Sequence, residues 1–344
     1  MNTLYCPDSE DFFNPEQHNV AFINQIIDEG KIGHFIRLCE ALQEKKLSRI
    51  AEDIASRPDV RMVLLAGPSS SGKTSTSRRL SVQLMTCRKW PVPISMDNWF
   101  VDRDKTPLDE NGQKDFESLY SLDLQQFNQD LNDLLAGKEI QLPTYNFQEG
   151  HREYRGETLQ LKPGMILIIE GIHALNPILT QEIEERHKYR VYAYPNNTIQ
   201  LPEEPYKIEP WDNRLLRRIS RDYETRGCSA ARTLSLWPSV RRGEQKWILP
   251  FKENADAIFN TAMLYELAAI RPKVEAILQE VKPAETIGNG ETPSDPNVPV
   301  DPFYYEEAQR LLKLLSYFHP IPHNEIPMNS LLREFIGGSV FDVG

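Results

Sequence analysis

The spacing of apolar residues changes along the chain and marks out its predicted elements. Over residues 16–56 apolar side chains recur every three or four positions, as at Ile32, Phe35 and Ile36, which predicts helices. The pattern then changes to short continuous apolar runs, and a run of this kind that ends at a glycine is typical of a buried parallel strand. The runs predict strands at residues 62–66, 92–96, 165–169, 189–194 and 257–259.

Helical periodicity returns between these runs, over residues 74–85, 124–136, 212–225 and 262–279. Strands that alternate with helices form a parallel sheet with helices on both faces, so the pattern predicts an α/β fold. Helical segments precede and follow this α/β region, and we expect them to be appendages to it. The predicted organisation is a helical segment at 1–58, the α/β domain at 59–281, a linker at 282–302 and a helical appendage at 303–344.

The predicted appendage begins after a stretch rich in proline, glycine and acidic residues, which is typical of a linker. Residues 303–318 then predict an amphipathic helix, and a shorter helix follows at 330–336. The apolar face of the longer helix carries Ala308, Leu311, Leu312, Leu315 and Phe318. Such a face needs cover, so we expect the appendage to pack on the main domain or on a second chain, which leaves a homo-oligomer open. Packing within the same chain, against the N-terminal helices, is the preferred alternative.

Composition and charge narrow the classes of partner. The formal net charge is −11, which argues against a nucleic-acid partner. The longest apolar runs are far too short for a membrane-spanning helix, and the acidic N-terminus does not resemble a secretory signal. The four cysteines are far apart in the sequence, which predicts neither a zinc site nor a disulfide framework. We expect a cytoplasmic protein.

A phosphate-binding loop is the strongest motif in the chain. Residues 67–74, GPSSSGKT, fit the pattern G-x-x-x-x-G-K-[ST] between a predicted strand and a predicted helix. In such a loop the backbone amides and the start of the helix bind phosphate, the lysine reaches the β- and γ-phosphates, and the threonine hydroxyl binds Mg²⁺. The predicted ligands of a nucleoside triphosphate are Gly67, Ser69, Ser70, Ser71, Gly72, Lys73, Thr74 and Ser75.

Two carboxylates follow other predicted strands. Glu170 stands at the carboxyl end of the strand at 165–169, where ligands bind in open α/β sheets, and it is predicted to bind Mg²⁺ together with Thr74. Asp97 stands at a second strand end and could accept the proton of an attacking hydroxyl. Asp102 and Asp104 are close enough in the sequence to compete for that role.

Arginines recur every three or four residues along the predicted helix at 212–225, which gives one strongly positive face. These residues are Arg214, Arg217, Arg218 and Arg221. Near the γ-phosphate such a face would supply cations, and the alternative is a solvated face paired with surface acids.

Four blocks in order resemble the uridine kinase and phosphoribulokinase family of P-loop kinases: GPSSSGKTS, SMDNWF, LPTYNFQEGHR, and IIEGIH followed by NRLLRRISRDYETRG. The resemblance covers residues 60–280 and is nearest to the uridine kinase-like domain of bacterial proteins that carry a TGS domain. Those proteins share the segment WPSVRRGE, here residues 237–244, and a C-terminal stretch like LLSYFHPIP. This chain has no room for their N-terminal modules, so we expect a shortened piece or a single-module relative.

The resemblance implies a P-loop fold with a five-stranded parallel sheet, ATP and Mg²⁺ as cofactors, and phosphorylation of the 5′-hydroxyl of a pyrimidine ribonucleoside such as uridine or cytidine. It assigns Asp97 as the catalytic aspartate, with Lys73, Arg217 and Arg221 also acting in catalysis. It assigns Glu117 to the ribose hydroxyls and Arg214 to the sugar or the transferred phosphate. The residues implied in base recognition are Tyr145, Phe147 and His151, and those of the closing lid are Arg217, Arg218, Arg221 and Arg226.

The sequence also departs from the family pattern. Trp99 and Phe100 stand where uridine kinases usually carry a tyrosine, residues 148–150 are extra, and a cysteine replaces the last arginine of the lid motif, giving Arg226-Gly227-Cys228. These changes fall on acceptor recognition and on the lid. A kinase of another small hydroxyl metabolite therefore stays open, as does an ATP-binding regulatory or RNA-associated module with weak catalysis.

Overall fold

The computed structural model describes residues 19–110, 112, 114–146, 149–202, 207–283 and 303–341. These residues form two compact units, each assembled from segments that are distant in the sequence. The sheet unit contains Glu44–Tyr194 and Ser239–Phe259. The helical unit contains the described residues up to Gln43, then Pro195–Pro238, and those from Asn260 onward. The segment boundaries predicted at 58 and 281 do not coincide with these units.

A five-stranded sheet forms the centre of the sheet unit, as predicted. Its strands lie in the order β2-β5-β1-β6-β7, and β1 pairs in parallel with both β5 and β6. Strands β3 and β4 form a separate antiparallel hairpin. The strands are β1 Met62–Ala66, β2 Trp90–Ser95, β3 Glu139–Asn146, β4 His151–Gln160, β5 Met165–Gly171, β6 Lys188–Tyr194 and β7 Ala257–Asn260.

Strand β1 is buried along its whole length, which explains its unbroken apolar run. Strands β2 and β5 lie on one side of β1, and strands β6 and β7 lie on the other side. The strand order therefore reverses at β1. In open α/β sheets ligands bind outside the carboxyl ends of the strands at such a reversal. The loop that follows β1 is therefore at the expected position for a ligand.

Most helices start and end within a few residues of the predicted bounds. The helices are α1 Val20–Asp28, α2 Ile32–Ser56, α3 Lys73–Thr86, α4 Leu124–Leu135, α5 Asp212–Arg226, α6 Ala230–Trp247, α7 Glu266–Gln279, α8 Phe303–Ser316 and α9 Arg333–Ile336. Helix α6 is absent from the predicted set because Pro238 and Gly243 lie inside it and both residues are poor helix formers. In the part of the chain that the structure describes, no helix combines the length and the apolarity needed to cross a membrane.

The C-terminal appendage packs within the helical unit. Asn24 of α1 donates a hydrogen bond to the carbonyl oxygen of Tyr317 at 2.8 Å and accepts one from the backbone N of His319 at 2.8 Å. The predicted docking of the appendage on the rest of this chain is thus confirmed, but it is not limited to the N-terminal helices, because the backbone N of Ile321 donates to the carbonyl oxygen of Ala268 in α7 at 3.0 Å. One detail differs, because Leu314 is buried while Leu312 is only half-buried. Most of the predicted linker lies outside the described residues.

Candidate active site

The phosphate loop has a backbone that glycine makes possible. Gly72, the residue before α3, lies in the left-handed region with φ +84°, and a Cβ on Gly67 would overlap the carbonyl oxygen of Ala193. Ser70 also has a positive φ, +59°, which is uncommon for a residue with a side chain and is found at ligand-binding turns. Lys73 Nζ donates to the carbonyl oxygen of Pro68 at 3.2 Å, across the loop.

Thr74 and Glu170 meet where the phosphate loop faces the end of β5. The Thr74 hydroxyl lies 3.1 and 3.2 Å from the two carboxylate oxygens of Glu170 and donates to them. The register explains the meeting, because Leu65 of β1, just before the loop, pairs with Glu170 of β5. A hydroxyl and a carboxylate are both oxygen ligands, which is the donor type that Mg²⁺ prefers.

Asp97 lies at the same edge of the sheet. It belongs to the short 3₁₀ turn that follows β2, and its backbone N donates to the Ser95 hydroxyl at 3.3 Å. Ser95 pairs with Glu170 in the β2–β5 register. A side chain on Gly171 would overlap that of Met96, so the glycine lets the turn approach β5 closely. The two carboxylates predicted from separate strands thus follow neighbouring strands.

Asp102, a competitor for the role of base, has other partners. Its carboxylate accepts from Lys105 Nζ at 2.8 Å and from the backbone N of Arg152 at 3.4 Å. The hydrogen bond from Lys105 holds the pKa of the Asp102 carboxyl below its usual value, which makes it a weaker base. Asp104 is exposed. These surroundings favour Asp97 over its two neighbours.

The segment that contains Glu117 runs beside the chain that leaves the Asp97 turn. The backbone N of Val101 donates to the carbonyl oxygen of Ser121 at 2.8 Å, and that of Asp123 donates to the carbonyl oxygen of Trp99 at 2.8 Å. Glu117 is half-buried at the start of this segment. The predicted ribose-binding residue is therefore linked by backbone hydrogen bonds to the chain that carries the predicted base.

The side chains of Trp99 and Phe100, which stand in place of the usual tyrosine, lie in different surroundings. The Trp99 indole is buried and donates a hydrogen bond to Asp130 at 2.7 Å, so this side chain is part of the core. The Phe100 ring packs edge-on against Tyr145 of β3, with centroids 5.5 Å apart. Burial raises the pKa of Tyr145 and keeps its phenol protonated. Of the predicted base-recognition residues, Tyr145 thus contacts the chain that follows Asp97.

Of the other two predicted base-recognition residues, only His151 is among the described residues. His151 begins β4 and pairs with Glu149 at 3.4 Å on a half-exposed part of the hairpin. Phe147 lies outside the described residues. Only Tyr145 therefore has a described contact with the chain around Asp97.

The helical unit holds the four predicted lid arginines and Arg214, which was predicted to bind the sugar or the transferred phosphate, and two of these five residues are buried. Arg217 donates through Nε and Nη2 to both carboxylate oxygens of Glu266, at 2.6 and 2.7 Å, and through Nη2 to the carbonyl oxygen of Thr261 at 2.9 Å. This is a buried structural ion pair, and it contradicts the prediction that Arg217 is a lid cation. Arg214 is also buried, with its guanidinium 5.2 Å from the centre of the Trp237 ring.

The remaining three arginines share one carboxylate. Arg218 and Arg221 pair with Asp222 at 3.2 and 2.8 Å, and Arg226 approaches it at 3.5 Å. Asp222 is only 4% exposed. The face is thus less positive than the arginine spacing alone predicts, because one buried acid on the same helix offsets part of its charge.

The family model of the phosphoribulokinase / uridine kinase family matches residues 62–267, more than half of the 344-residue chain. The chain belongs to this family. It is therefore a P-loop phosphotransferase. The uridine kinase of Lactobacillus helveticus is 27% identical over 195 residues, which cover 56% of this chain and 83% of that enzyme. The uridine kinase of Streptococcus gordonii is 25% identical over 221 residues, which cover 63% and 95%.

Two solved kinase structures also resemble this chain, but only weakly. A possible uridine kinase from Bacillus stearothermophilus has a TM-score of 0.41 at 18% identity and covers 63% of this chain and 98% of that one. A D-glycerate 3-kinase from Cryptococcus neoformans has a TM-score of 0.41 at 14% identity and covers 62% and 89%. At these scores neither structure informs the choice of substrate.

The residues of this phosphotransferase fit a triphosphate with Mg²⁺. The loop offers backbone amides without side-chain obstruction at Gly67 and Gly72, and α3 directs its positive end toward the same place. Within the described ranges, no group of three or more His, Cys, Asp or Glu side chains converges to form a cage for the ion. Mg²⁺ is commonly held by one or two protein oxygens together with substrate phosphates and water, which suits Thr74 and Glu170.

Two residues at the site were not found from the sequence. His173 lies three residues after Glu170, is 1% exposed, and has a pKa lowered to about 4 by burial. Gly243 of α6 lies against the Glu117 side chain. A histidine after a strand and a glycine inside a helix were the available signals, but both occur in many proteins for reasons of packing alone.

Proposed function

We propose that this chain transfers the γ-phosphate of ATP, bound with Mg²⁺, to the 5′-hydroxyl of a pyrimidine ribonucleoside such as uridine or cytidine. The observation that carries the proposal is the backbone pairing between the chain after Asp97 and the segment of Glu117. It joins a proton acceptor to a carboxylate suited to a vicinal diol. The similarity to enzymes named uridine kinase supports the same acceptor.

The phosphate side of the proposal rests on the loop after β1. Backbone amides of residues 69–75 bind the phosphate oxygens, and Lys73 adds a positive charge beside them. Thr74 and Glu170, whose oxygens lie 3.1 and 3.2 Å apart, would hold the metal ion. When bound there, Mg²⁺ would neutralise charge on the phosphates and fix their orientation.

On the acceptor side of the proposal, the carboxylates of Asp97 and Glu117 have separate roles. Asp97 takes the proton of the attacking 5′-hydroxyl, because it lies in the turn after β2, and Ser95 at the end of that strand pairs with Glu170. Glu117 accepts hydrogen bonds from the 2′- and 3′-hydroxyls, and the Tyr145 ring lies beside the base.

A panel assay tests the proposed acceptor. ADP release is measured with ATP and Mg²⁺ over uridine, cytidine, purine nucleosides, their 2′-deoxy forms, sugar phosphates, glycerate and RNA. We expect turnover with pyrimidine ribonucleosides and a preference over the deoxy forms of roughly 1–3 kcal/mol, because Glu117 would lose one hydrogen bond. Turnover only with a sugar phosphate or glycerate, or ADP release stimulated only by RNA, would reject the nucleoside assignment.

A further inference from the structure

The segment WPSVRRGE, residues 237–244, lies within helix α6. Near its end Gly243 lies directly against Glu117 of the same unit. A Cβ on Gly243 would stand 2.5 Å from the Cβ of Glu117 and 2.8 Å from its Cγ. Both distances are far inside normal carbon–carbon contact. Helix α6 therefore approaches Glu117 too closely for residue 243 to carry a side chain without a shift of the structure.

The contact involves the root of the Glu117 side chain and not its flexible end. The Cβ atom is fixed by the backbone, so no rotation of Glu117 could make room for a side chain on Gly243. Glycine also destabilises a helix interior relative to alanine, so residue 243 is unfavourable for α6 itself. The close approach to Glu117 gives that unfavourable residue a physical reason.

A second residue, His173, lies against the backbone of the segment that contains Glu117. The ring nitrogens of His173 face the backbone of Glu117 and Ser118, and neither has a hydrogen-bond partner of good geometry among the described residues. The His173 ring packs edge-on against Trp247, with centroids 6.1 Å apart. Trp247 follows Gly243 by four residues, so both lie on one face of α6. That face and His173 therefore surround the start of the Glu117 segment.

We propose that Gly243 and His173 are positioning residues that hold Glu117 against α6, so that its carboxylate keeps the orientation that accepts both hydroxyls of a ribose. This inference rests on the proposed function. It states that recognition of one part of the acceptor, the vicinal diol of the ribose, depends on α6. A carboxylate binds a vicinal diol through two hydrogen bonds at once, and a small displacement breaks one of them. The selection of ribose is then sensitive to the contact between residues 243 and 117.

The first test is Gly243→Ala, with Gln245→Ala on the exposed side of the same helix as its matched control. We expect Gly243→Ala to raise the KM for the ribonucleoside about tenfold and to bring the ratio of kcat/KM for uridine over 2′-deoxyuridine close to one. The KM for ATP should stay within about twofold, because the phosphate loop is untouched. Gln245→Ala should match the wild type in all three quantities.

His173→Ala is the second variant and keeps the test valid if alanine at 243 disturbs folding. Alanine removes the ring that packs edge-on against Trp247, so the Glu117 segment loses a side chain that lies against its backbone. We expect the same loss of ribose preference with an unchanged KM for ATP. In a Glu117→Gln background, Gly243→Ala should not change the preference further, because the two act through one carboxylate.

The outcomes separate the inference from the proposed function. A wild type that turns over ribonucleosides with a 2′-hydroxyl preference, together with variants that keep it, would overturn the inference alone. A KM for ATP that rises by the same factor as the nucleoside KM would overturn it too, since general distortion would then explain the loss. A wild type that phosphorylates no nucleoside would reject the proposed function and the inference with it.

Discussion

At the scale of single residues, the assignment of the base depends on the surroundings of two aspartates five positions apart. Lys105 and the backbone of Arg152 bind Asp102, whereas Asp97 lies in the turn beside Glu170. We expect Asp97→Asn to lower kcat by about 10²-fold or more with little change in the KM for ATP. Asp102→Asn is the matched control, and steady-state kinetics that showed the larger loss in this variant would mean that the base is misassigned.

His173 gives the protein a predicted dependence of stability on pH. An imidazole in the unfolded chain takes up a proton below its ordinary pKa of 6.5, whereas the buried ring does so only near pH 4. The stability that the neutral ring contributes is therefore present above pH 6.5 and is lost as the pH falls to 4, by roughly 3 kcal/mol in all. Denaturant unfolding from pH 4 to 8 should show this loss in the wild type and not in His173→Phe. Parallel curves for the two proteins would contradict it.

The sequence predicted some site residues well because their roles depend on local backbone. The phosphate loop needs only its own glycines, lysine and threonine between a strand and a helix. Arg217 was predicted wrongly because its role depends on Glu266 and Thr261, which follow it by more than 40 positions. Periodicity shows that an arginine lies on a helix but not which acid it meets.

At the scale of elements, the central strands β1 and β5 were predictable because each is a continuous apolar run that is largely buried. The β3–β4 hairpin was not predicted, since β4 is mostly exposed and carries polar residues such as Arg152 and Glu153. Helix α6 was missed for another reason, because Pro238 and Gly243 lower its intrinsic propensity and its packing outweighs that loss. Elements with weak patterns of their own depend on tertiary contacts for their formation.

Helix α8 allows a matched test of the packing of the appendage. Leu315 is 0% exposed within the helical unit, whereas Leu312 on the same helix is half-buried. We expect Leu315→Ala to lower the free energy of unfolding by about 2–5 kcal/mol and Leu312→Ala by clearly less. Chemical denaturation of both variants measures the difference. Equal and small losses would indicate that α8 is not part of the core of the unit.

At the scale of the whole molecule, the chain is divided into units that the order of its segments does not reveal. The helical unit draws on the N-terminal helices, on Pro195–Pro238 and on the C-terminal appendage. Composition changes along the chain suggest boundaries near residues 58 and 281, but both units are assembled across such boundaries. Which distant segments come together depends on long-range packing, and a single sequence carries no direct record of it.

The central claim is that this P-loop phosphotransferase passes the γ-phosphate of ATP to a ribonucleoside. The most direct measurement follows the γ-phosphate label from ATP into product, with uridine and cytidine as acceptors and with the product identified by mass spectrometry. The account predicts a labelled nucleoside 5′-monophosphate that forms with the wild type and is absent with Lys73→Ala, because that variant lacks the charge beside the phosphates. Label found only in inorganic phosphate, or an equal yield from Lys73→Ala, would contradict it.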